Sequence, residues 1–169
     1  MMIVFYVAGA VAIVSTALMI TRLHAVHALL YLIVSLLAVS VVFYTLGAPF
    51  IAALEVIIYA GAIMVLFVFV VMLLNLGEQA ASAERALLMH SMWTGPLILA
   101  AILMAEFVYL LAASSGGSSG GAMSGPRGVG AALFGPYLIG VELASMLLLG
   151  GIVGAYHLGW RRVPKPEVR

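Results

Sequence analysis

Residues 54–76 form an uninterrupted apolar run of bilayer length whose first two turns carry Glu55, Tyr59 and Gly61. Wound as a helix rising about 1.5 Å per residue, such a run crosses a hydrocarbon core of about 30 Å. A plain membrane anchor has no use for a carboxylate and a conformationally permissive glycine. The segment therefore reads as a working transmembrane helix.

Composition extends that reading to the whole chain. Hydrophobic residues make up 66% and charged residues 8%, against about 25% charged in soluble domains, so the expected fold is an all-α integral membrane protein. Apolar runs separated by turn residues predict five transmembrane helices in one membrane domain, over about 2–21, 27–46, 51–75, 93–113 and 135–156. The six prolines (Pro49, Pro96, Pro126, Pro136, Pro164 and Pro166) fall in connections, first turns or the tail, where a missing N–H costs little. The first run lacks a basic leader and a small-residue cleavage site, so it reads as a retained span.

Positive charge sets the expected direction. Arg22, Arg85, Arg161, Arg162, Lys165 and Arg169 fall on one side of the five spans and only Arg127 on the other. This predicts an outside amino terminus and a cytoplasmic carboxyl terminus, with Trp93, Tyr156 and Trp160 as a belt at the cytoplasmic boundary. The Gly/Ser-rich stretch 114–134 reads as a flexible outer loop, and the more polar 77–92 as a cytoplasmic loop ordered against partners. No internal repeat is evident, which weighs against an inverted-repeat carrier.

With no cysteine in the chain, disulfides, thiolate metal sites and iron–sulfur ligation are excluded. His24, His27, His90 and His157 lie near predicted span ends without a second ligand cluster, so they read as interfacial residues, and no metal site is expected. The net charge of +1 carries no nucleic-acid signal.

Three carboxylates fall inside spans: Glu55, Glu106 and Glu142. A carboxylate facing lipid at mid-bilayer costs on the order of 3 kcal/mol, so all three must face protein or water. Each either ties helices together or belongs to a proton or ion relay, since burial favours the neutral carboxyl and permits exchange. Glu106 has no motif around it. Tyr59 stands four residues after Glu55, on the same helix face, where phenol and carboxyl can share a water or a hydrogen bond. Gly61 permits close packing or altered winding. The run Met64 to Val71 reads as lipid-facing or core. Gly150 and Gly154, with Gly151 and Ala155, form a small-residue packing face, as expected of a component packed among other membrane chains.

The stretch from Glu55 through Tyr59, Gly61 and Phe67 to Asn75 closely resembles the third helix of the J-type membrane subunit of respiratory NADH:quinone oxidoreductase, complex I. His27-Ala-Leu-Leu-Tyr-Leu and the stretch Phe134 to Gly150 around Glu142 resemble the same family. Polar residues kept in register over so long a run are a specific signal. The first span, the Gly/Ser-rich loop and the short tail depart from the family pattern.

The resemblance implies a non-redox subunit of a proton-pumping translocase, without catalytic activity of its own, in a bacterial cytoplasmic membrane. NADH, FMN, iron–sulfur clusters and quinone would be bound by other subunits, and A-, H-, K- and N-type membrane chains would be the neighbours. It further implies a π-bulge near the Tyr-x-Gly step, so that the element from Tyr59 to Phe67, with Met64 and Val65, would rewind to open and close a water path. Two other readings stay open on the residues alone. One is a small subunit of a multisubunit cation/proton antiporter or membrane-bound hydrogenase; the other is a stand-alone carrier or assembly protein.

Overall fold

A computed structural model describes residues 1–23, 25–74, 90–114 and 125–160. Among these residues the chain is helical throughout, with no strand. Five helices are long and apolar enough to cross a membrane: Met2–Thr21, Ala25–Thr45, Pro49–Leu73, Trp93–Leu110 and Leu138–Gly159. The chain is a multi-pass membrane protein. Its Cα packing divides into two units, Met1–Gly125 and Pro126–Arg169.

The first unit is built on α1 (Met2–Thr21) and α2 (Ala25–Thr45). Small residues let the pair approach closely: Ala8, Ser15 and Ala38 have no exposed surface, as membrane helix crossings require. A polar clasp joins them. The Thr16 and Ser35 hydroxyls lie 2.8 Å apart, and Ser35 also donates to the Ala12 carbonyl at 3.2 Å. A helix α5 (His90–Ser114) adds Leu103 to a core of Val11, Val34 and Ala38.

The turn out of α2 is dictated locally. Gly47 takes φ +81°, and the bonds from Ala48 N–H to the Phe43 carbonyl and from Gly47 N–H to the Tyr44 carbonyl, both 3.1 Å, close the helix end. That left-handed step suits glycine alone among common residues. Pro49 then opens the third span at a position where no N–H is needed.

The third span has three parts on one continuous run. A short α3 (Pro49–Leu54) leads into a π-helical segment, Glu55–Ile63, which gives way to α4 (Met64–Leu74). Backbone angles at the joints are ordinary right-handed values, −63°/−38° at Leu54 and −66°/−39° at Met64. The change is therefore one of hydrogen-bond register, not a break.

Two boundaries differ from the sequence expectation. The fourth helix begins at His90, ahead of Trp93, so Pro96 lies inside it. The cost of its missing N–H is confined to the helix's early turns. In the second unit, Pro126–Leu133 form a helix, α6, within the stretch read as a loop. Pro126 starts it, and the apolar Val129, Ala131, Ala132 and Leu133 outweigh two glycines. A turn closed by Tyr137 N–H on the Ala132 carbonyl at 3.1 Å leads to α7 (Leu138–Gly159). The expected cytoplasmic loop through residue 89, the Gly/Ser run 115–124, His24, Arg85 and the basic tail 161–169 lie outside the described residues.

Candidate functional site

The third span changes its winding where the sequence places its polar residues. In the π segment hydrogen bonds run from residue i to i+5 instead of i+4, a rare arrangement that concentrates at functional sites. At its end the Met64 N–H bonds the Tyr59 carbonyl, five residues back, as well as that of Gly61. At its start the Glu55 N–H is shared between the Ile51 and Ala52 carbonyls.

Gly61 is the glycine of this segment. A β-carbon there would stand 3.2 Å from the Val56 carbonyl oxygen, also five residues back. Any side chain would crowd that oxygen, so glycine relieves the wide winding of a steric cost.

Burial divides the span. No residue of Glu55–Ile63 is buried, whereas Ala52 just before it is 6% exposed and Met64 just after it 1%. The π segment thus has no fully buried residue, and the buried Ala52 and Met64 stand on either side of it. Beside its first turn lie two adjoining apolar cavities of about 290 and 280 Å³, both lined by Ser40, Val41, Val56 and Phe107. They leave room for Val56 to move.

The structure places the expected site residues unevenly. Glu55, Tyr59 and Gly61 share the π segment; Glu55 and Gly61 are half-buried and Tyr59 is exposed. No hydrogen bond joins Glu55 to Tyr59 among the described residues. Met64, Val65 and Phe67 lie beyond the π segment in regular α-helix, so the wide winding begins and ends four residues earlier than the Tyr59 to Phe67 element implied by resemblance. Met64, the first residue of regular helix after it, is buried. Val65 and Phe67 are exposed.

Glu106, which has no motif around it, is the intramembrane carboxylate that the fold buries most deeply. It is 9% exposed, and neither carboxyl oxygen has a hydrogen-bond partner among the described residues. Glu142, in the second unit, is exposed, and its carbonyl accepts from the Ser145 hydroxyl at 2.7 Å. Within that unit nothing stands within 4 Å of a β-carbon at Gly150 or Gly154, so their small-residue face has no partner there. His27, in the first turn of α2, is buried, with its ring 5.1 Å from that of Tyr31. Tyr31 also lies under the Arg22 guanidinium at 5.3 Å, and its hydroxyl abuts Gly95.

Sequence reasoning missed Ser40. Its hydroxyl donates to the Ala52 carbonyl at 2.9 Å, tying α2 to the last turn before the π segment. A lone serine in an apolar span gives no signal of its partner until the helix opposite is placed.

These features define a class: among the described residues, an all-helical, multi-pass membrane protein whose third span carries a π-helical segment that begins at a glutamate. Comparison with known proteins gives the family. The model of the family NADH-ubiquinone/plastoquinone oxidoreductase chain 6 matches residues 15–158. NADH-quinone oxidoreductase subunit J of Pseudomonas aeruginosa is 55% identical over 92% of this chain and 94% of its own length. Subunit J of Escherichia coli strain K12 is 54% identical over 92% and 84%, and that of Buchnera aphidicola subsp. Baizongia pistaciae 37% identical over 92% and 95%. The chain belongs to the NADH-quinone oxidoreductase chain 6, or subunit J, family.

Proposed function

We propose that this chain is a non-redox membrane subunit of a proton-pumping NADH:quinone oxidoreductase, in which rewinding of the third span gates water and proton connectivity. The connection gated lies between the quinone-coupled region and the antiporter-like subunits. The carrying observation is the π segment Glu55–Ile63, unburied along its length and bracketed by the packed Ala52 and Met64.

The physics of the switch follows from register. An i→i+5 segment takes up about one residue more than the same rise of α-helix. Conversion to regular winding would turn α4 by about 100° relative to α3, and Ile63 would arrive in the slot that Met64 fills. Exchanging one aliphatic side chain for another of similar volume costs under about 1.5 kcal/mol in a packed core. Two windings of comparable energy are what a switch needs. Glu55 and Tyr59 would be carried with the rewinding segment, so their side chains can meet a water file in one winding and leave it in the other.

On this reading flavin, iron–sulfur clusters, NADH and quinone are held by other subunits, and the A-, H-, K- and N-type membrane chains cover the exposed apolar faces. The chain lies in a bacterial inner membrane with its amino terminus outside, as the bias of Arg and Lys supports.

The test is Gly61→Val in the assembled complex. Its branched side chain crowds the Val56 carbonyl in the π form, so turnover coupled to proton pumping should fall. Electron transfer from NADH to a soluble acceptor should be retained. Normal quinone reduction together with normal pumping would overturn the proposal.

A further inference from the structure

We infer that Ser40 is a positioning residue for the switch: its hydroxyl, donated across the helix interface to the Ala52 carbonyl, fixes where the third span leaves α-helical winding. The inference rests on the reading of the π segment as an interconverting element and adds the residue that anchors one end of it.

The bond is short and sheltered. Ser40 is 8% exposed, and its Oγ lies 2.9 Å from the Ala52 oxygen. Ala52 stands three residues before Glu55, where the π segment starts. In an uninterrupted α-helix the Ala52 carbonyl would be the acceptor for Val56 N–H. Here the Ser40 hydroxyl donates to that oxygen as well, and the Glu55 N–H, bonded to the Ile51 carbonyl in the usual i−4 register, also reaches it. A hydroxyl inserted into the i→i+4 ladder weakens the bond it competes with and is a recognised cause of altered helix geometry. Ser40 therefore biases this carbonyl, and the turn that follows it, away from regular winding.

The donor is also fixed in space. It belongs to α2, which is clasped to α1 by the Thr16 and Ser35 hydroxyls and joined to α3 by the short Gly47 turn. The amino-terminal edge of the π segment is thereby tied to the rigid helix pair. Rotation on rewinding must then appear at the other end, at Met64 and α4. Val56, in the first turn of the π segment, lines the cavities beside Ser40 and Phe107.

The experiment compares the assembled complex carrying wild-type chain, Ser40→Ala and Ser40→Thr in lipid nanodiscs, reading the winding of residues 55–63 by electron cryomicroscopy. Loss of one neutral hydrogen bond should shift the ratio of π to regular winding about fivefold towards regular, about 1 kcal/mol at 1.4 kcal/mol per decade. Ser40→Thr, which keeps the hydroxyl, should retain the wild-type ratio. A Ser40→Ala complex with the same segment at the same ratio overturns the inference, because a bond that merely ties two helices would leave winding untouched. If the alanine variant fails to assemble, Ser40→Cys, which keeps the volume and weakens the donor, is read by the same criterion. Failure of the two readings is separable. Altered winding with normal pumping removes the gating function and leaves Ser40 as its anchor, whereas unaltered winding with pumping still lost in Gly61→Val removes Ser40 alone.

Discussion

Gly61 and the carbonyl of Val56 approach so closely that a β-carbon on the glycine would stand 3.2 Å from the oxygen. The pair is five residues apart, so the approach belongs to the wide winding. Alanine at this position must push the oxygen aside by a few tenths of an ångström, while gaining up to about 1 kcal/mol of α-helical preference. Gly61→Ala should therefore favour regular winding by up to about fivefold. Images of the assembled complex sorted by the winding of residues 55–63 check this; an undiminished π population would show that the glycine is not there for winding.

Met64 closes the π segment from the other side, and at 1% exposure it is among the best-buried side chains of the first unit. Truncating such a residue leaves a cavity and typically costs about 2–5 kcal/mol, whereas a swap that conserves volume costs less than about 1.5. Met64→Ala should markedly lower the temperature at which this subunit is lost from the purified complex, and Met64→Leu should lower it only slightly. Equal effects of the two would mean that the slot is not filled by shape.

The five spans were legible because lipid demands long apolar runs. The polar triad Glu55, Tyr59 and Gly61 falls on the part of the third span that is wound as a π-helix, and intramembrane polar groups are costly enough to draw attention to such a segment. The start and end of the wide winding were not legible, because a shift of hydrogen-bond register within an apolar run leaves no residue pattern of its own. The burial of Glu106 was not legible, because burial of a carboxyl inside a helix packing is a tertiary fact. The Pro126–Leu133 helix escaped notice because its glycines and its Gly/Ser-rich surroundings speak for a loop, while Pro126 at its first position and a short apolar run favour one turn after another.

Tyr31 and Gly95 make a second close pair, at the interface of α2 and α5. The tyrosine hydroxyl occupies the space that a side chain at 95 would need, and the ring is held by His27 and Arg22. Gly95→Ala should destabilise the chain by about 1–3 kcal/mol, the usual cost of overpacking. Tyr31→Phe in the same chain removes the oxygen and should restore part of the loss. The coupling is read from a double-mutant cycle on thermal stability of the complex; strict additivity would show that the two residues do not share that space.

Glu106 presents the opposite problem, a buried group with nothing to bond. Both its carboxyl oxygens are sequestered without a donor among the described residues, and an ionised carboxylate in such a place costs several kcal/mol. Replacing an unsatisfied polar group by an apolar one of similar size is commonly neutral or stabilising, while a polar substitute keeps the penalty of unmade hydrogen bonds. Glu106→Leu should therefore leave the complex as stable as wild type or more so. Glu106→Gln should match wild type or fall below it, since an amide adds donors that also lack acceptors. Thermal unfolding of the assembled complex ranks the three. A leucine variant less stable than wild type by more than about 1 kcal/mol, the net worth of one hydrogen bond, would mean that a neighbouring subunit or a bound water satisfies the carboxyl in the complete assembly, and Glu106 would then belong with the third span as part of the conducting machinery.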